Sequence, residues 1–128
     1  MKFLLDTHAF LWWLSDPEKL SSRAFETIEA AEHEIYLSPA SSWEIAIKMR
    51  LGRLALPKDL SSYIPQKMLS NGFRSLGIEQ IHALETYHLP DHHRDPFDRM
   101  LIAQARVEKM PIITKDALIE KYVIETVW

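Results

Sequence analysis

Residues 92–105, His-His-Arg-Asp-Pro-Phe-Asp-Arg-Met-Leu-Ile-Ala-Gln-Ala, leave the backbone few choices. Asp95 is a capping residue, Pro96 suits the first turn of a helix, and Asp98 adds a second acid inside that turn. Phe97, Met100, Leu101 and Ala105 then recur at helical spacing, which predicts a helix from about Asp95 to Glu108. Ile112-Ile113-Thr114 follows as an apolar run of the kind buried on both faces of a parallel sheet. Lys2-Phe3-Leu4-Leu5 has the same character near the other terminus.

Between these two runs, helical and strand patterns alternate. Asp6 ends the first strand, with Thr7 as cap for a helix whose body, His8 to Leu14, is apolar nearly all round. Trp12 and Trp13 point about 100° apart on that helix, so either one of them reaches a partner surface or both take deep core positions. A second helix runs from Ser21 or Ser22 to about Glu32, and Ile35-Tyr36-Leu37 is a second strand. Residues 40–51 form a third helix, in which Ser41-Ser42-Trp43-Glu44 fits a capping box. A fourth helix, from Asp59 or Ser61 to about Leu69, carries Pro65 inside it and is expected to kink there. Residues 73–76 read as a strand, 78–87 as a fifth helix and 123–127 as a last strand. This alternation indicates an α/β sandwich around a mostly parallel sheet.

Composition closes off several kinds of chemistry. The chain has no cysteine, which excludes disulfides, thiolate catalysis and cysteine-ligated zinc. Its net charge of -3 does not attract nucleic acid, so such binding needs a local basic rim or a bound cation. No apolar run is long enough to span a bilayer, and Asp6 and His8 interrupt the N-terminal one, so no membrane association and a cytoplasmic location are expected. With 128 residues the chain is expected to form one compact domain, 1–128.

Four acids share one predicted address. Asp6 and Asp116 end apolar strands, while Glu44 and Asp98 lie near helix starts, and in a parallel sheet those positions meet at one edge. Three have a bland alternative: Asp6 as a helix cap, Glu44 as the capping-box partner of Ser41, Asp98 as a first-turn acid. Gathered together, four carboxylates repel unless some are protonated or a cation joins them. Oxygen ligands without cysteine favour Mg²⁺ or Mn²⁺, whose chemistry with phosphodiesters is hydrolysis. No Walker loop is present. Lys48, Arg50 and Arg53 cluster as a solvated face or a phosphate rim. His92 and His93 read as exposed loop imidazoles, and Ser38, Ser41 and Ser42 as caps, since no nucleophile-elbow pattern surrounds them.

Leu4-Leu5-Asp6-Thr7-His8, Ser42-Trp43-Glu44-Ile45-Ala46-Ile47-Lys48, Arg94-Asp95-Pro96-Phe97-Asp98-Arg99-Met100-Leu101-Ile102-Ala103-Gln104-Ala105 and Thr114-Lys115-Asp116 resemble, in order, the four acidic motifs of PIN-domain proteins, and specifically of the VapC-type toxins of bacterial toxin–antitoxin pairs. The third is the most specific, and the resemblance spans essentially the whole chain. It implies a three-layer α/β/α sandwich with a mostly parallel central sheet and Mg²⁺- or Mn²⁺-dependent endoribonuclease activity. It carries over Asp6, Glu44, Asp98 and Asp116 as the catalytic acids, with Asp6, Asp98 and Asp116 as metal ligands. Thr7, Asp95 and Thr114 support them, and Lys48, Arg50, Arg99 and Lys115 are candidates for an RNA rim. It also implies a homodimer held inactive by a cognate VapB-type antitoxin that wraps helices near the N-terminus. The competing expectation is a catalytically silent binding module acting through protein partners. A receiver-like phosphoacceptor domain fits poorly, because no acid directly follows the strand at 35–37.

Overall fold

A computed structural model describes residues 1–128. Five parallel strands, β1 (Lys2–Leu5), β2 (Glu34–Leu37), β3 (Arg74–Ser75), β4 (Ile112–Ile113) and β5 (Thr126–Val127), lie in the order β3-β2-β1-β4-β5. The helices are α1 (Thr7–Ser15), α2 (Ser22–Glu29), α3 (Pro39–Arg50), α4 (Leu60–Asn71), α5 (Gln80–Glu85) and α6 (Pro96–Glu108).

Strand alternation builds two cores. Phe3 and Leu5 of β1, Ile35 and Leu37 of β2 and Ile113 of β4 point to one face, where Phe10, Ala24, Ile28 and Ile64 from α1, α2 and α4 meet them. Leu4 and Ile112 point to the other face, against Leu101, Ile102 and Ala105 of α6. The result is the expected three-layer α/β/α sandwich. Helix α3 straddles the layers, giving Ile45 to the first core and Ala40 to the second.

The chain winds outward from β1 through β2 to β3, then returns to lay β4 on the other side of β1. That reversal puts the topological switch point between β1 and β4, and a crevice opens beyond their C-terminal ends. The register pairs Leu5 with Ile113, so Asp6 and Thr114 emerge side by side, with Asp6 N–H donating to Ile113 O at 3.1 Å.

Several element boundaries differ from the sequence expectation. Asp6, not Thr7, caps α1, its Oδ1 accepting Ala9 N–H at 2.6 Å. Helix α3 begins at Pro39 under a Ser38 cap, which leaves the Ser41–Glu44 capping box unused. Helix α4 runs through Pro65 without a break: Pro65 and Ser61, four residues before it, are both exposed, so water can satisfy the carbonyl that proline leaves without a donor. The strand expected over 73–76 is only Arg74–Ser75, and that expected over 123–127 is only Thr126–Val127, because Ile119–Lys121 forms a 3₁₀ turn and Val123 stands almost fully in solvent. The fifth helix, expected over 78–87, is Gln80–Glu85 followed by a 3₁₀ turn, Thr86–His88.

Candidate metal centre

Each acid reaches the crevice by a different local route. Asp6 is the first residue beyond β1, nearly fully buried, and held twice: Ala9 N–H binds Oδ1, and the Thr114 hydroxyl donates to Oδ2 in a short bond. Thr114 Oγ in turn accepts the N–H of Asp116 at 3.0 Å, so β4 orients both acids of the switch point. The Asp95 carboxylate caps α6, accepting Phe97 N–H at 2.8 Å and Asp98 N–H at 3.1 Å. That cap turns Asp98 inward. Glu44 is buried in the second turn of α3; its Oε2 takes Lys48 Nζ at 2.7 Å, while Oε1 is buried with no hydrogen-bond partner. Thr7 lies behind, donating to Ser41 Oγ at 2.9 Å.

The electrostatics record how close these groups are. Burial first, and then the charge of Asp95, push the Asp98 carboxyl up to about 7; His93 opposes them, and the charges of Glu44 and Asp6 add smaller increments. Burial is also the main reason the Asp6 carboxyl is raised; the Thr114 and Ala9 hydrogen bonds and His8 oppose it, and Asp116 adds to it. The structure therefore brings Asp6, Glu44, Asp98 and Asp116 into one crevice, with Thr7, Asp95 and Thr114 bound to or beside them.

One residue at this site has no counterpart in the sequence reading. His93, expected as an exposed loop imidazole, lies inside the crevice, its Nε2 2.9 Å from Asp116 Oδ2 and 3.1 Å from Asp98 Oδ2. Its Nδ1 faces Asp95 N–H at 3.2 Å, so the ring proton sits on Nε2, between the two acids. His92 is exposed and packs edge-on to Tyr122. No periodicity marks His93. The only local signal is its place two residues ahead of a helix-capping acid.

The basic residues divide into three kinds. Arg99 directs its guanidinium inward to Pro90 O (3.0 Å), His93 O (3.2 Å), Thr86 O (2.9 Å), Leu89 O (3.3 Å) and Tyr122 Oη (3.4 Å), clamping the loop that carries His93. Lys48 is paired with Glu44. Arg50 and Lys115 are exposed, and neither takes part in any of the molecule's ion pairs.

A hard divalent cation fits this donor set. Crowded carboxyls whose ionisation burial disfavours, Asp98 and Asp6, together with the orphaned Glu44 Oε1, are the features that a cation would relieve. Side-chain atoms of His93, Asp98 and Asp116 all lie within 4.8 Å of one another, the Nε2–H of His93 meeting the carboxylates of the other two.

The sequence profile of the PIN domain matches residues 3–124. Among characterised proteins, Ribonuclease VapC22 of Mycobacterium tuberculosis is 32% identical over 114 residues, covering 88% of this chain and 85% of that protein. Ribonuclease VapC16 of the same organism is 40% identical over 55 residues, 43% of this chain and 39% of that protein. Among solved structures, the fold matches VapBC2 from Rickettsia felis bound to a DNA fragment from their promoter, with a TM-score of 0.73 and 12% identity over the full length of both chains. It also matches FitAcB from Neisseria gonorrhoeae, with a TM-score of 0.60 and 17% identity over 97% of this chain and 95% of that one.

Proposed function

The chain belongs to the PIN domain family, and from that premise we propose that it is a divalent-cation-dependent endoribonuclease, the toxin of a VapC-type toxin–antitoxin pair. The observation that carries this reading is the crevice at the β1/β4 switch point, where four carboxylates converge and one buried oxygen, Glu44 Oε1, is left without a partner.

Asp6, Asp98 and Asp116 would hold Mg²⁺ or Mn²⁺, with Glu44 completing the acid set. When bound, the ion supplies charge neutralisation for the phosphodiester and acidifies the attacking water. The protein does the rest by positioning. Thr114 fixes the rotamers of Asp6 and the backbone of Asp116. Lys48 engages one oxygen of Glu44 and leaves the other as an acceptor. The His93 Nε2 proton spans Asp98 and Asp116, holding the two carboxylates together. An RNA substrate approaches an acidic chain because the crevice charge is neutralised locally.

Two protein partners complete the reading. An antitoxin of VapB type covers the N-terminal helices, where Leu11, Trp13, Leu14 and Phe25 are only partly buried against the core. A second copy of the chain covers the apolar face of α3 and α5.

The test is cleavage of single-stranded RNA by the purified chain in Mg²⁺ and in Mn²⁺, compared with Asp98→Asn. Since loss of even outer partners of a metal site costs about 10–100-fold, Asp98→Asn should lose at least about a hundredfold. Equal cleavage by the variant would remove the site assignment. No cleavage and no cation binding by the wild type would leave the catalytically silent binding module.

A further inference from the structure

Beside the acids, on the α1 side, is a cavity of about 360 Å³ lined by Asp6, His8, Trp12, Lys115 and Asp116. Its chemistry is unlike that of the crevice itself. Lys115 sits between Thr114 and Asp116 yet forms no ion pair, so its ammonium is free. His8 is exposed and offers a ring N–H to the cavity. The Trp12 ring is set by two neighbours: it packs edge-on to Trp128, centroids 5.7 Å apart, and lies tilted against His8, also at 5.7 Å. Trp13, by contrast, is committed to Phe25 and Phe73 and donates Nε1–H to Asn71 Oδ1 at 3.0 Å. Of the two adjacent tryptophans, only Trp12 lines this cavity.

We propose that His8, Trp12 and Lys115 form a subsite for the ribonucleotide that flanks the scissile phosphodiester, Lys115 and His8 holding its phosphate and Trp12 stacking its base. This rests on the ribonuclease reading of the adjoining acids. A cation next to an aromatic wall, flush against the reacting centre, is the combination by which proteins hold single strands, because every base offers a π-face and every nucleotide a charge. A base inside a duplex has no free face for Trp12, so the subsite selects single-stranded or looped RNA. Trp128 acts as a positioning residue, fixing the ring that stacks.

Three variants of the chain, assayed with Mn²⁺, test this. In Lys115→Met, which alters only an exposed side chain, KM should rise about tenfold with kcat within about twofold. The salt dependence of log(kcat/KM) should become shallower by about 0.7, the contribution of one phosphate contact to a single strand. For Trp12, RNAs carrying an abasic nucleotide on either side of the mapped cut are compared. One of the two should be cut about tenfold less efficiently by the wild type and no less efficiently than intact RNA by Trp12→Leu, while Trp12→Phe restores the discrimination. Wild-type cleavage with an unchanged salt slope in Lys115→Met, and an equal abasic penalty in Trp12→Leu, would overturn the subsite and leave the nuclease standing. Absence of cleavage by the wild type would overturn both.

Discussion

At the scale of single residues, the site is a set of conflicts that the fold holds in place. Asp98 is the clearest, its carboxyl pushed up to about 7 by burial and by Asp95 beside it. An acid whose folded pKa lies above its unfolded value of about 3.9 stabilises the fold fully below pH 4, and that contribution is lost as pH rises through 7. Metal-free protein should therefore be less stable at pH 8 than at pH 5.5 by an amount that Asp98→Asn lacks. Solvent at the crevice mouth reduces the difference to on the order of 1 kcal/mol, or about 4 °C in Tm at this size. Thermal melts of wild type and variant in chelator, at both pH values, measure it, and parallel pH profiles would refute it. Mn²⁺ should abolish the loss, because the ion binds the carboxylate form. His93 belongs to the same set. Replacing it with Phe removes the proton between Asp98 and Asp116. The variant should then lose stability in chelator but little or none in saturating Mn²⁺, and an equal loss in both conditions would make His93 a packing residue only.

At the scale of elements, what was legible in the sequence is what local chemistry decides. The start of α6 could be read because its cap, its proline and its apolar spacing all lie within one stretch, and β1 and β4 because fully buried strands are apolar on both faces. The gathering of Asp6, Glu44, Asp98 and Asp116 followed from topology, since strand ends and helix starts share an edge. Other features depended on distant partners. His93 enters the crevice because Arg99, and Tyr122 more than twenty residues beyond it, fasten its loop, with His93 N–H donating to Tyr122 Oη at 2.9 Å. The short helix α5 is another case. His82 is completely buried, its Nδ1 accepting Glu79 N–H at 2.9 Å and its Nε2 donating to Glu108 at 2.8 Å, so it pins the start of α5 to the end of α6. His82→Ala should cost about 2–3 kcal/mol by losing both bonds and leaving a cavity where the buried ring packed. Urea unfolding would report it as a lower midpoint with unchanged slope. A change below about 0.5 kcal/mol would show that the pin is dispensable.

At the scale of the whole molecule, the widest run of exposed apolar side chains lies over α3 and the α5 region. Trp43, Ile47 and Leu51 recur every four residues along α3 and are 63%, 38% and 60% exposed. Trp43 also packs edge-on to Phe97, and the two rings line a cavity of about 460 Å³ shared with Ile78 and Thr86, which joins this stripe to the α5 region. There Ile81, Leu84 and Tyr87 are exposed as well. A monomer rarely leaves so many large apolar side chains in water on contiguous elements, and a symmetric pair of chains buries each patch against its copy. Ile47→Glu and Leu51→Glu place charges within the stripe, at its middle and its end, but outside the acid crevice. Sedimentation velocity should show a wild-type dimer, and each variant should dissociate at least about tenfold more readily, since a charge buried without a partner costs well over 1.4 kcal/mol. A wild type that stays monomeric at high concentration, or variants that dimerise equally well, would assign the face of α3 and α5 to a different partner.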